Sequence, residues 1–335
     1  MLQRQERNRP QVTPIKTPTF PELRPRSITE IMDVGLAVYR DNLRHLLIVS
    51  ALCQIPLGVL NLAAAATFFN GVLPSLTGSL EGDSLDWGIV VAAVVGSLGV
   101  GLLSAVVLSF GLTAMLWSLD RRTHGEQPGV AAAYRGALPR VPSFLLTRIL
   151  FGLALVGVFL PAAAAGALGG RLVGSNSGGG VIGGLLIAAA LLFTFLGMLA
   201  TVFLWIRWRF YAQTSVIERK SPVQALRRAR EVTADRWGLT FLFVVFLWLL
   251  TAALSIAPSS VAQVPLLIFY GGNADTEFAP QAITQAVGTL TSILILPVEV
   301  VSLTMLYYDF RVRSEGLDLR RRIEQLNVPT ETVLG

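Results

Sequence analysis

The chain has 335 residues, 53% hydrophobic and only 14% charged, with a formal net charge of +6. An average soluble domain carries about 25% charged residues, so the composition excludes an ordinary water-soluble globule. Four uncharged runs say the same: Leu46–Leu80, Trp87–Leu119, Leu172–Ile206 and Trp237–Ala274. An apolar run of about 18 residues or more reads as a membrane span, because a helix rises about 1.5 Å per residue through a hydrocarbon core about 30 Å thick.

In chain order, residues 1–26 are polar, basic and proline-rich, with no apolar core of a signal peptide. They are expected to form a disordered tail. Ser27 opens "SITEIMDVGLAVYRDNLRHLL", where Ser27 and Glu30 match a capping box and Ile28, Ile31, Met32, Leu36 and Tyr39 trace an apolar stripe. A helix lying along the membrane surface is predicted near 28–41. Spans follow at 44–69 and 87–119, joined by an acidic connector with Glu81, Asp83 and Asp86. Cys53, the only cysteine, reads as a small packing residue. On the second span, Ser97, Gly101, Ala105 and Ser109 recur every fourth residue, a spacing that lets helices approach closely.

A second surface helix is predicted near 129–138, then a span at 146–168, a Gly/Ser loop "GGRLVGSNSGGG" and a span at 181–206. "RWRFY" (Arg207–Tyr211) reads as an interfacial anchor. In "SPVQALRRAREVTADRWG", Ser221 and Pro222 suit a helix start, and Val223, Leu226, Ala229 and Val232 continue one face. That third surface helix, near 222–235, carries Arg227, Arg228 and Arg230 as candidate contacts to anionic lipid. Spans at 239–257 and 281–308 complete a six-span membrane domain over 27–308, and 309–335 form a C-terminal tail. Pro56, Pro161, Pro258 and Pro297 are expected to kink or end their helices. Tyr307 and Tyr308 fit an aromatic belt and Arg311 and Arg313 a polar anchor beyond it. Leu319, Ile323 and Leu326 have the spacing of a short amphipathic helix.

Of the 27 basic residues, 26 fall in the N-terminal segment, residues 120–148 and 207–237, and the C-terminal tail. Only Arg171 lies on the other side, with the acidic loops. Basic residues near span ends stay in the cytoplasm, so both termini are expected inside a cell membrane. Nucleic acid is not an expected partner of this charge, since no recognition motif accompanies it.

"AVYRDNLR" from Ala37 resembles "AAYRGALPR" from Ala132, and "VTADRWG" from Val232 holds the same place before the last span pair. "MLWSLDRR", "FLWIRWRF" and "MLYYDFRVR" echo one another at the exits. The all-α fold is therefore read as three repeats, each a surface helix followed by two spans.

"RPRS" (Arg24–Ser27), "ERKSPVQALRRARE" (Glu218–Glu231) and "YYDFRVRSEGLDL" (Tyr307–Leu319) resemble the glycerophosphoryl diester phosphodiesterase membrane-domain family, over roughly residues 24–320. In that family the membrane domain can be fused to a catalytic TIM barrel, and many relatives are the membrane domain alone. A barrel needs about 250 residues, and the segments flanking the spans are far shorter. The resemblance thus implies a membrane domain without the phosphodiesterase activity.

Chemistry-bearing motifs are sparse. His45 and His124 lack a second ligand at metal spacing, and no G-x-S-x-G or P-loop pattern occurs. No catalytic, metal or cofactor residues are expected. Glu299 is the one acid within a span, placed about 15 Å from Asp309 and about 21 Å from Gln285 along the helix, near the bilayer midplane. It is expected to face the bundle interior as a neutral group without an ion pair. The functional expectation is a non-catalytic membrane module that binds lipid, a partner membrane protein or a second copy. The alternative is a small transporter or channel that uses Glu299.

Overall fold

The computed structural model describes residues 27–67, 87–174, 180–271 and 278–315, and every long element in them is a helix. The elements are α1 (Ile28–Asp41), α2 (Leu43–Thr67), α3 (Trp87–Thr123), α4 (Val130–Ala137), α5 (Val141–Gly157), α6 (Leu160–Gly174), α7 (Gly180–Arg207), α8 (Tyr211–Val216), α9 (Pro222–Ala234), α10 (Trp237–Tyr270) and α11 (Phe278–Glu315). A single 3-10 turn, Leu138–Arg140, joins α4 to α5. Six stretches are long and apolar enough to cross a membrane: Leu43–Ala66, Val91–Thr123, Val130–Gly157, Gly180–Arg207, Trp237–Tyr270 and Ala279–Ser314. This is consistent with a multi-pass membrane protein. The acidic connectors and the expected C-terminal helix at Leu319, Ile323 and Leu326 lie outside the described residues, as does the N-terminal tail.

All three short helices form where the sequence places them. The capping box closes as read: Ser27 Oγ accepts from Glu30 N–H at 3.3 Å, and Ser27 N–H donates to the Glu30 carboxylate at 3.0 Å. Ser221 occupies the corresponding cap position of α9 without a side-chain bond, and Pro222 begins the helix. The buried faces differ from the predicted ones. On α1 the inward line is Ile31, Met32, Gly35 and Val38, and Leu36 points outward. On α9 it is Ala225, Ala229 and Thr233, while Val223 is exposed. Small residues win these positions because the helices lie close to their neighbours. A Cβ at Gly35 would meet Ser302 Oγ of α11 at 3.2 Å.

Span boundaries need three corrections. The third span is broken after Gly157, and Pro161 falls in the first turn of α6, where its missing N–H costs nothing. The fifth runs through Pro258 and Pro265 to Tyr270 rather than ending at 257. The sixth extends to Glu315, so residues 309–315 are helix and not tail. Glycines read as linker instead form a helix crossing: a Cβ at Gly169 on α6 would stand 2.9 Å from the Gly183 carbonyl on α7.

The long helices close a ring, with α2 against α3, α3 against α5, α5 against α7, α7 against α10, α10 against α11, and α11 against α2, and α6 packs along α7. Burial is not spread evenly over that ring. One apolar cluster joins Ile31 and Met32 of α1, Leu46 of α2, Met115 and Leu119 of α3, Phe144 of α5, Phe210, Phe243 of α10, and α11 from Val300 to Phe310. All of these lie at the end of the long helices that carries the basic connectors. Toward the other end the same helices are open: Val91, Val95, Leu98 and Leu102 on α3, Leu185 and Leu191 on α7, and Val261 and Ile268 on α10 are exposed. At lengths of 34 to 38 residues, α3, α10 and α11 span about 50–57 Å, well beyond the hydrocarbon thickness. The excess of α3 and α11 at the basic end builds the packed cap.

Candidate functional site

The centre of the cap is the last third of α11. Every residue from Val301 to Phe310 is buried, so the helix is enclosed on all sides and its polar groups must find partners within the protein. Thr304 Oγ1 donates to the Val300 carbonyl at 2.6 Å. Tyr307 donates its hydroxyl to Glu218, and Tyr308 donates to Asp120 Oδ1 at 3.3 Å. These tyrosines are therefore not an aromatic belt facing headgroups. Their rings pack into the cap core, Tyr307 tilted against Phe210 with centroids 5.7 Å apart.

Glu218 is the most heavily used acid. Its carboxylate accepts from Arg228 Nε at 3.2 Å and from the Tyr307 hydroxyl, and Arg311 Nε lies 3.5 Å away. With its side chain only 9% exposed, it ties the α8–α9 loop to the buried helix. Arg228 thus turns inward, whereas Arg227 and Arg230 are exposed. Arg227 pairs along its own helix with Glu231 at 3.2 Å. Arg311 is an internal ion-pair partner rather than an interfacial anchor, and Arg313 pairs with Asp309 at 2.8 Å.

Glu299 is paired, against expectation, with the guanidinium of Arg209. Arg209 stands just past the end of α7 and stacks over Trp205 at 4.5 Å. The partner puts Glu299 beside the basic end of α7. The sequence reading failed because it counted Glu299 from Asp309, and the buried part of α11 belongs to the cap. The "RWRFY" segment likewise is internal, since Phe210 is fully buried and Tyr211 stacks on Phe151 at 4.9 Å. Burial pushes the Tyr211 phenol above its ordinary value, with Glu299 adding to the shift, and burial does the same to Tyr39.

Two phenols tie short helices to long ones. Tyr39 donates to the Leu294 carbonyl on α11 at 3.2 Å, and Tyr134 to the Val49 carbonyl on α2 at 2.9 Å. Thr233, in the "VTADRWG" segment that takes the same place in the third unit, bonds within its own helix. Cys53 is a buried packing residue: its thiol donates to the Val107 carbonyl at 3.2 Å, and Gly111 stands directly against it. The small-residue stripe on α3 makes contact only near the cap, because Ser109 is fully buried and Gly101 faces open space.

A further polar feature of the basic end is a cleft of about 440 Å³ between α3, the α4–α5 turn and the α8–α9 loop. Arg121, Arg140, Arg219 and Lys220 line it. Sequence reading did not bring these four together, since they come from two separate basic segments, 120–148 and 207–237. His45 and His124 lie apart, and among the described residues no three His, Cys, Asp or Glu side chains converge as a metal set. Comparison with family models, curated proteins and solved structures gives no match.

Proposed function

We propose that the chain is a non-catalytic, multi-pass module of the cell membrane that binds membrane lipid through the open half of its helix ring. The observation that carries this reading is the contrast in burial along α3 and α11. Their basic ends are packed and hydrogen-bonded, and much of their apolar remainder is exposed, as are Val261 and Ile268 of α10. Apolar helices gain no association energy from one another in lipid, so open spans are stable only with acyl chains or a partner helix on them. The positive-inside rule puts the cap and both termini in the cytoplasm. In support of a threefold repeat, each short helix lies against a long helix outside the pair that follows it: α1 on α11, α4 on α3, α9 on α7. Membership of the glycerophosphoryl diester phosphodiesterase membrane-domain family rests on "ERKSPVQALRRARE" and "YYDFRVRSEGLDL", whose Glu218 and Tyr307 bond to each other.

The transporter reading loses its main support, because Glu299 is held by Arg209 at the end of the spans. The test is native mass spectrometry of protein extracted in mild detergent, beside flux measurements in liposomes. Retained phospholipid or a co-purifying membrane protein, without flux, is the expected result. A protein that sheds all lipid and carries ions or small solutes would overturn the reading.

A further inference from the structure

The cleft at the basic end has the chemistry of an anion site, and the chain goes to some length to build it. Glu218 is drawn inward by Arg228, Arg311 and Tyr307. The next residue, Arg219, turns the backbone to φ 54°, a left-handed conformation that only a few per cent of non-glycine residues adopt and that glycine takes without cost. That turn aims Arg219 and Lys220 into the cleft instead of the cap. Ser143 Oγ reaches the Lys220 carbonyl at 3.5 Å, and Arg140 Nη1 donates to the Val216 carbonyl at 3.0 Å, so the two walls are laced together.

The charge balance is positive. Arg121 is paired with Glu126 at 3.0 Å and lies over the Trp117 ring at 5.2 Å. Asp120 is near Arg140, and its carboxylate accepts from Tyr308. Arg140, Arg219 and Lys220 form no ion pair with any described residue. Three such cations converging beside a fourth repel one another unless an anion sits between them. Guanidinium forks match the oxygens of a phosphate, with a lysine as an added point charge.

We infer that this cleft binds a phosphate group, supplied by the headgroup of an anionic phospholipid. The source follows from what lies next to it. One turn beyond Ser143 on α5, Leu146, Ile149, Leu153 and Val156 are all exposed. They form an apolar strip that leads from the cleft into the span, where an acyl chain attached to that phosphate would run. Only the source of the phosphate rests on the lipid-binding reading above; the phosphate chemistry stands on the cleft itself.

The test uses delipidated full-length protein in detergent, titrated by native mass spectrometry with three probes: dioleoylphosphatidylglycerol, dioleoylglycerol and inorganic phosphate. Wild type should bind phosphatidylglycerol well above dioleoylglycerol, which has the same chains and no phosphate. The double variant Arg219→Gly, Lys220→Gln removes both charges and relaxes the turn, so folding is preserved and checked by thermal melting. It should lose about tenfold in phosphatidylglycerol affinity, while Arg227→Gln, away from the cleft, should lose none. Competition by inorganic phosphate without phosphatidylglycerol binding would keep the phosphate site and overturn both its lipid source and the lipid reading of the whole protein. Undiminished, phosphate-selective lipid binding by the double variant would overturn the cleft and leave that broader reading intact. Equal binding of phosphatidylglycerol and dioleoylglycerol by wild type would overturn the phosphate site outright.

Discussion

The two halves of this molecule use the same helices for opposite ends. Along α3, Ser109 to Leu119 meets protein on nearly every side, while Val91, Val95, Leu98, Leu102 and Leu103 are exposed. Along α11, Val301 to Phe310 is enclosed and Leu290 and Leu294 are exposed. Both halves are apolar, so hydropathy does not separate them. What separates them is the density of polar contacts, because a helix in lipid is held by hydrogen bonds, ion pairs and close packing rather than by expulsion of water. Glu218, Asp120, Arg209 and Glu299 all lie at the basic end, and the open half is left for lipid or a partner.

The sharpest way to break the comparison is to remove the acid that holds the cap together. Glu218→Leu would take from Arg228 and Arg311 the buried carboxylate they share and leave the Tyr307 hydroxyl without its acceptor. Breaking a buried ionic cluster from one side costs about 3–5 kcal/mol. A large drop in the detergent melting temperature is expected, with Glu218→Gln falling between it and wild type. A variant that melts like wild type would mean that the cap is held by apolar packing alone.

How much of this was legible beforehand follows from the same contrast. Six spans could be read because uncharged runs are unambiguous, and the short helices because Ser27, Glu30 and Pro222 mark their starts. The depth of α11 could not be read that way. "VSLTMLYYDF" is equally suited to lipid and to a protein core, since a helix apolar all round reports burial without naming what buries it. A signal for the Arg209–Glu299 pair did exist: an acid in an apolar span needs a partner, and the nearest bases sit on the connectors. The cleft stayed hidden because Arg121, Arg140 and Arg219 meet only once the segments 120–148 and 207–237 have folded together.

A smaller effect tests the close packing beneath the cap. A Cβ at Gly111 would stand 2.5 Å from Cys53 Sγ and 2.6 Å from its Cβ. Gly111→Ala is expected to destabilise by about 2–3 kcal/mol through overpacking. Cys53→Ala should not rescue it, because the Cβ itself is in the way. Cys53→Gly should restore the contact, at a cost of about 1 kcal/mol in helix propensity. Rescue by Cys53→Ala would show that α2 and α3 can slide apart, and that this contact is softer than the cap above it.

Next in size is the pair at the border of the two halves. Arg209→Leu leaves Glu299 without its guanidinium. Glu299 is 38% exposed, so the loss should be about 2 kcal/mol, below that of a fully buried pair. Glu299→Gln keeps a hydrogen bond to Arg209 and should cost about 1 kcal/mol. Thermal melts of the two single variants and the double variant would give the coupling between them. Additive losses would mean that the pair contributes nothing of its own, and that Glu299 is simply solvated.

The smallest expected effect asks what covers the open half. Gly101 lies in α3 with no atom within 4 Å of where a Cβ would stand. For the isolated chain in detergent, Gly101→Ala should be neutral or stabilising by up to about 1 kcal/mol, the difference in helix propensity. Gly101→Leu should be tolerated as well, since acyl chains and detergent adapt to a larger side chain. A protein partner does not adapt in that way, because close-packed interfaces are destabilised by added methylenes. The informative readout is therefore the state of the protein in its own membrane, measured by native mass spectrometry after mild extraction. If Gly101→Leu leaves the mass, the retained lipid and the melting temperature as in wild type, lipid covers this face. If it splits an oligomer or releases a co-purifying protein, the open half is an interface between proteins, and the contrast between the two halves exists only in the separated chain.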